Sequence, residues 1–176
     1  MVPALWLLRF MGAMASCMAC SGVVPAPQTA EASSHPLLGA PAPDFKLQEA
    51  GSSREHSLGQ HAGKLVLVDF WATWCEPCKQ SFPAYQQLLE SMSGELVVLG
   101  ISQDDDPKGI QAFRAETGVT FPLLWDESKT AARSYDPPTM PTAYVVDKSG
   151  IVRFVHAGYR SGDEQTIGAE LRAEHR

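Results

Sequence analysis

The sequence predicts an α/β fold: a central mixed β-sheet flanked by helices on both faces, with an N-terminal β-hairpin extension. Three observations carry this expectation. Two runs, Leu65–Trp71 (LVLVDFW) and Glu95–Ser102 (ELVVLGIS), are apolar almost throughout and rich in β-branched and aromatic residues, as strands buried on both faces are. Segments of helical length, opened by caps or closed by glycine, alternate with such runs. Near the C-terminus, Thr142–Val146 and Ile151–Val155 flank the turn Asp147-Lys148-Ser149-Gly150, which makes them an antiparallel pair.

Residues 1–20, MVPALWLLRFMGAMASCMAC, hold one charge, Arg9, followed by an apolar run of eleven residues, Phe10–Cys20. That length suits the core of an export signal; a span counted from Val2 would leave Arg9 inside the bilayer at a cost of about 2.5–3.5 kcal/mol. Residues 21–36 are rich in Pro, Ala and Ser without a period, and read as a tether to a single domain over residues 37–176. Asp44–Leu47 alternates as a short edge strand, with Arg54–Ser57 as its hairpin partner. Leu65–Trp71 follows, and then a helix over Glu76–Met92, kinked at Pro83 and ended by Gly94. After Glu95–Ser102, Asp104-Asp105-Asp106-Pro107 reads as a solvated helix start. A calcium loop would need acids at alternate positions and a Glu at position 12, and neither is present. Phe121–Trp125 is a third central strand and Lys129–Ser134 a short helix. Ser161-Gly162-Asp163-Glu164 is a capping box for a last helix to about Ala173.

Charge and composition remove several function classes. A net charge of −6 with no basic tract argues against nucleic-acid binding. Apolar residues at 44% and charged residues at 19% describe a globular chain. Four cysteines are too few for a disulfide scaffold; they form two C-x-x-C pairs, Cys17 with Cys20 and Cys75 with Cys78. A zinc site built from both pairs would need Cys17 and Cys20 to survive in the mature fold, which an export signal does not allow. The histidines (His35, His56, His61, His156, His175) show no H-x3–5-H pairing that would complete a metal site.

The second pair sits where a buried strand gives way to a helix, and redox chemistry wants that placement. Cys75 falls at the helix N-terminus, where unpaired N–H groups and the dipole favour the thiolate, the nucleophilic form. Cys78 follows three residues on, one turn below on the same face and within disulfide reach; Pro77 stiffens the turn. A structural bridge this short would constrain little of the unfolded chain. Asp69 lies inside the apolar strand, six residues before Cys75. A carboxylate there costs several kcal/mol unless protonated or partnered, so it reads as the proton acceptor for Cys78; the flanks LVLV and FW disfavour a solvent-facing alternative. Pro141, after Met140, opens a strand; it is either simply tolerated there or in cis, holding a loop beside the cysteines. Trp71 reads as core and Trp74 as a partly exposed wall of the site. Attack on a substrate disulfide is expected from the exposed Cys75, with Cys78 resolving the mixed disulfide and Met140 offering backbone groups to an extended substrate strand.

These motifs resemble the thioredoxin superfamily, and in particular the TlpA/ResA-like thiol–disulfide oxidoreductases of bacteria. The match runs over about residues 37–176. It rests on Gly39-Ala40-Pro41-Ala42-Pro43-Asp44-Phe45, Gly63-Lys64, Phe70-Trp71-Ala72-Thr73-Trp74-Cys75-Glu76-Pro77-Cys78, Phe82-Pro83, Met140-Pro141-Thr142 and Val146-Asp147-x-x-Gly150. The resemblance implies a thioredoxin fold, a cis Pro141 and reduction of disulfides in exported proteins, often in cytochrome c maturation, with electrons from a membrane thiol-reducing partner. Two departures stand out. ResA-type proteins carry Glu three residues after the second cysteine, where this chain has Ser81, and many relatives replace the strand acid that Asp69 retains as thioredoxin does. The peroxiredoxin pattern P-x-x-x-T/S-x-x-C is missing. Separately, Met14-Ala15-Ser16-Cys17 resembles the bacterial lipobox, with Met14 where Leu is preferred; Cys17 is the expected lipidation site and Cys20 the alternative.

The expected function is therefore that of an exported protein disulfide reductase, working as a monomer without a cofactor in the periplasm or anchored facing it. Trp74, Glu76, Pro77, Met140 and Pro141 are expected to meet the substrate. Glu76 between the cysteines opposes a Cys75 thiolate, which tilts the couple toward reductant. The alternative is a thioredoxin-like copper-delivery protein that uses Cys75 and Cys78 as soft ligands, with His156 as the strand-placed third donor.

Overall fold

The computed structural model describes residues 34–175. The expected signal segment, Cys17 and Cys20, and all but the end of the tether lie outside the described residues. Seven strands and four α-helices follow in the order β1 (Lys46–Glu49), β2 (Glu55–Ser57), β3 (Leu65–Trp71), α1 (Glu76–Ser91), β4 (Leu96–Ser102), α2 (Ile110–Thr117), β5 (Leu123–Trp125), α3 (Thr130–Tyr135), β6 (Thr142–Val146), β7 (Val152–Ala157) and α4 (Asp163–His175). The sheet order is β2-β1-β5-β4-β3-β6-β7. The run β3, β4, β5 is parallel, and every other pairing is antiparallel.

β3 lies at the centre, and each of its residues is buried, as its almost continuous apolar pattern predicts. Its side chains alternate between two cores. Leu65, Leu67 and Trp71 face α1, α2 and α4, packing with Phe82, Tyr85, Phe113, Ile167 and Leu171. Val66, Val68 and Phe70 face the other side, against Phe45, Tyr135 and Tyr144. Trp71 stacks at 4.3 Å on Phe113 and 4.9 Å on Phe82. Gly100 makes this possible: a Cβ there would lie 3.1 Å from the Trp71 indole nitrogen and 3.0 Å from Leu123. α1 continues without a break through Pro83, whose ring leaves the Lys79 carbonyl without its helical donor.

The structure corrects the sequence reading at three points. β1 is not an edge strand, because β5 pairs with its free side and leaves β2 at the border. Asp104 is not solvated; it is buried, and only Asp106 caps, accepting from the Lys108 N–H at 3.0 Å. At α4, Glu164 reaches back to the Gly162 N–H (2.9 Å) and takes the Tyr159 hydroxyl (2.6 Å). His35, which precedes the expected boundary at 37, also meets the domain. His35 packs edge-on against Tyr144 at 5.3 Å, with its Nε2 3.2 Å from the Asp136 carbonyl. Among the described residues, no helix is long and apolar enough to cross a membrane.

Candidate active site

β3 ends at Trp71, and a turn over Ala72–Cys75 follows, closed by the Cys75 N–H bonding the Ala72 carbonyl at 3.1 Å. Cys75 is the N-cap of α1 in extended conformation, and Glu76 and Pro77 occupy the first helical positions. Pro77 costs nothing there, since its missing N–H has no intrahelical acceptor. Cys75 and Cys78 are joined in a disulfide with Cα atoms 5.3 Å apart. Cys78 is fully buried and Cys75 is 4% exposed. The sequence reading had Cys75 more open; it is drawn instead into the apolar cluster under α1, and only an edge of it meets solvent. Trp74 beside it is 69% exposed and Glu76 is exposed.

Asp69 points into the same cluster. In register it pairs with Gly100 of β4 and Ala143 of β6, so the two smallest apolar side groups flank it on that face. It is fully buried, and neither carboxyl oxygen has a hydrogen-bond partner. Burial pushes its pKa well above the ordinary carboxyl value. Along the buried face of α1, Cys78 is followed by Ser81, whose hydroxyl donates to the Cys78 carbonyl at 3.2 Å, and then by Tyr85. Burial first, and the nearby Asp69 charge second, push the Tyr85 phenol up. The result is a carboxyl held in apolar surroundings on the face of β3 that packs against α1, where burial favours its protonated form.

The Met140–Pro141 peptide is cis, as the resemblance implied. Pro141 is buried, its carbonyl accepts the Gly158 N–H at 2.8 Å, and Met140 packs on the cluster that contains both cysteines. His156 does not join them. It sits on β7, two strands from Asp69, with Nε2 2.6 Å from Glu170 Oε2, so the donor set of the copper reading is not assembled. Two residues escaped the sequence reading. Asp104 accepts hydrogen bonds from the Thr73 N–H (3.0 Å) and the Thr73 hydroxyl (2.8 Å) in the turn before Cys75. Its place just past the end of a buried strand was the available signal.

The AhpC/TSA family model matches residues 38–155. The thioredoxin-like protein YneN of Bacillus subtilis is 37% identical over 136 residues, which cover 76% of this chain and 79% of that protein. The thiol-disulfide oxidoreductase ResA of Geobacillus thermodenitrificans is 31% identical over 122 residues, covering 69% and 70%. A crystal structure from Chlorobium tepidum, assigned as thiol:disulfide interchange protein DsbE, superposes with a TM-score of 0.75 at 29% identity, covering 79% of this chain and 98% of that one. The chain thus belongs to the AhpC/TSA family and is a thiol–disulfide oxidoreductase of the ResA/DsbE type on a thioredoxin fold, with Cys75 and Cys78 as its cysteine pair.

Proposed function

We propose that the chain is an exported reductant of protein disulfides in which Cys75 attacks, Cys78 resolves and Asp69 accepts the Cys78 proton. The observation that carries the proposal is Asp69, fully buried and unpartnered on the face of β3 that packs under Cys78. Cys75 attacks the substrate disulfide as a thiolate; that S–S bond breaks, one substrate sulfur leaves and takes a proton, and a mixed disulfide forms. Cys78 then gives its proton to Asp69 and attacks the Cys75 sulfur. The Cys75–Cys78 bond closes, the second substrate sulfur leaves, and the Asp69 proton can follow it. Two electrons pass to the substrate, and a membrane thiol-reducing partner returns the pair to the dithiol. Trp74, Glu76, Pro77, Met140 and Pro141 border the reacting sulfurs and meet the substrate chain.

Disulfides of exported proteins are the substrate class, with apocytochrome c among them. Residues 1–20 support export, and Cys17, or Cys20 in its place, is the lipid anchor. Replacing Cys17 by Ala in the full chain is expected to release the protein from the membrane fraction; unchanged fractionation with both cysteines replaced would refute the anchor. The reductant assignment is tested by the reduction potential of the Cys75–Cys78 pair. A value near that of thioredoxin, about −270 mV, is expected, and one above about −150 mV would overturn it.

A further inference from the structure

Three acids follow β4, and they have different fates. Asp105 is fully exposed, whereas Asp104 is 6% exposed. The Asp104 carboxylate accepts from the Thr73 N–H (3.0 and 3.2 Å to its two oxygens), the Thr73 hydroxyl (2.8 Å) and the Ser102 hydroxyl (2.8 Å). Its backbone is tied as well. The Asp104 N–H bonds Ser102 Oγ at 3.1 Å, and its carbonyl accepts the Trp125 indole N–H at 2.9 Å and the Lys129 ammonium at 2.8 Å. Lys129 takes up a left-handed backbone (φ 55°) just before α3, a conformation costly for a residue with a Cβ. Its ammonium also bonds the Gln103 carbonyl at 2.8 Å. The ends of β4 and β5 and the residue before α3 therefore converge on one residue: Trp125 and Lys129 hold its backbone carbonyl, and its carboxylate, bonded by Ser102, grips the turn that delivers Cys75. From the other side Gly109 presses on Thr73: a Cβ there would lie 3.2 Å from Thr73 Cγ2.

We propose that Asp104 is a positioning residue for the dithiol–disulfide exchange: it anchors Thr73 so that Cys75 stays at the N-terminus of α1, and its buried charge disfavours the Cys75 thiolate and keeps the couple reducing. The Asp104 carboxylate lies 3.0 Å from the Thr73 backbone nitrogen, and Thr73 precedes Cys75 by two residues, so the charge sits against the turn that carries the nucleophile. Among the described charged groups of this region, Glu76 is exposed, Lys79 is paired with Glu116 of α2 at 3.1 Å, Asp69 lies on β3, and Lys129 is paired with Asp105 at 3.7 Å. A thiolate that is less stabilised makes a more reducing couple. The inference rests on the reductant reading for its consequence in the cell.

Asp104→Asn keeps the shape and removes the charge; Thr73→Val keeps the charge and removes one hydrogen bond. Each full-length variant is equilibrated with glutathione buffers, and alkylation of Cys75 is followed against pH. Asp104→Asn is expected to shift the equilibrium about tenfold toward the dithiol, about 30 mV for two electrons, and to lower the pH midpoint of alkylation. Thr73→Val should leave the equilibrium within about threefold of the parent, by the charge argument above, and slow attack on a disulfide substrate. An Asp104→Asn protein that behaves as the parent, or a Thr73→Val shift as large and in the same direction, would overturn the proposal. Should Asp104→Asn not fold, Lys129→Met strips a cation from the same cluster and is expected to raise the midpoint; no movement overturns the proposal. An oxidising parent couple would count against the reductant reading alone, because the difference between parent and variant would still test Asp104.

Discussion

Replacing Asp69 by Asn should stabilise the protein and impair it at once. In the unfolded chain Asp69 ionises in the ordinary range, near 3.9, whereas in the fold burial holds the proton to a pH well above that. Between those two points the unfolded state releases a proton that the native state keeps. The parent therefore loses about 1.4 kcal/mol of stability per pH unit above about 4, until Asp69 ionises in the native protein. At pH 5.5 the loss is about 2 kcal/mol, and Asp69→Asn is free of it. For a domain of this size that is a gain of roughly 6–10 °C in melting temperature. At pH 4 and below both states are protonated, and parent and variant should melt together. Thermal melts of the oxidised proteins across pH 4–7 read the gain, and release of a mixed disulfide in a single turnover reads the impairment. Equal melting temperatures throughout would refute the burial argument, and unchanged release would refute the proton-acceptor role.

The two cysteines should trap substrates unequally. Cys78→Ser, expressed with its signal, should accumulate covalent adducts with exported proteins on non-reducing gels, and Cys75→Ser few; equal trapping would reverse the roles. Gly100→Ala places a methyl within 3.1 Å of the Trp71 indole and should cost about 1–3 kcal/mol by overpacking, visible in denaturant melts followed by tryptophan fluorescence. A neutral outcome there would mean that Trp71 and Leu123 can give way together.

What the sequence determined by itself is local or periodic. β3 was legible because a run apolar at every position but Asp69 fits a strand covered on both faces, and the residues that follow it carry the cysteines onto a helix start without help from afar. Asp69 was suspect for the same reason: six apolar or aromatic neighbours leave a carboxyl no water. The spacing of Cys75 and Cys78 sets their mutual reach through helix geometry alone. Pairings between distant segments had no such signature. That β1 lies between β2 and β5 depends on which unpaired edge is free once the central strands have assembled, and no pattern within Lys46–Glu49 encodes it. Asp104 was read with its exposed neighbours because a run of acids looks solvated; its partner Thr73 is 31 residues away, and only the parallel pairing of β3 with β4 brings the two strand ends together. The same pairing, with β6 on the far side, sets Gly100 and Ala143 beside Asp69 and leaves its carboxyl without a donor. A hydrogen bond or its absence between segments is a property of three-dimensional packing, where strand register, not sequence distance, decides which groups meet.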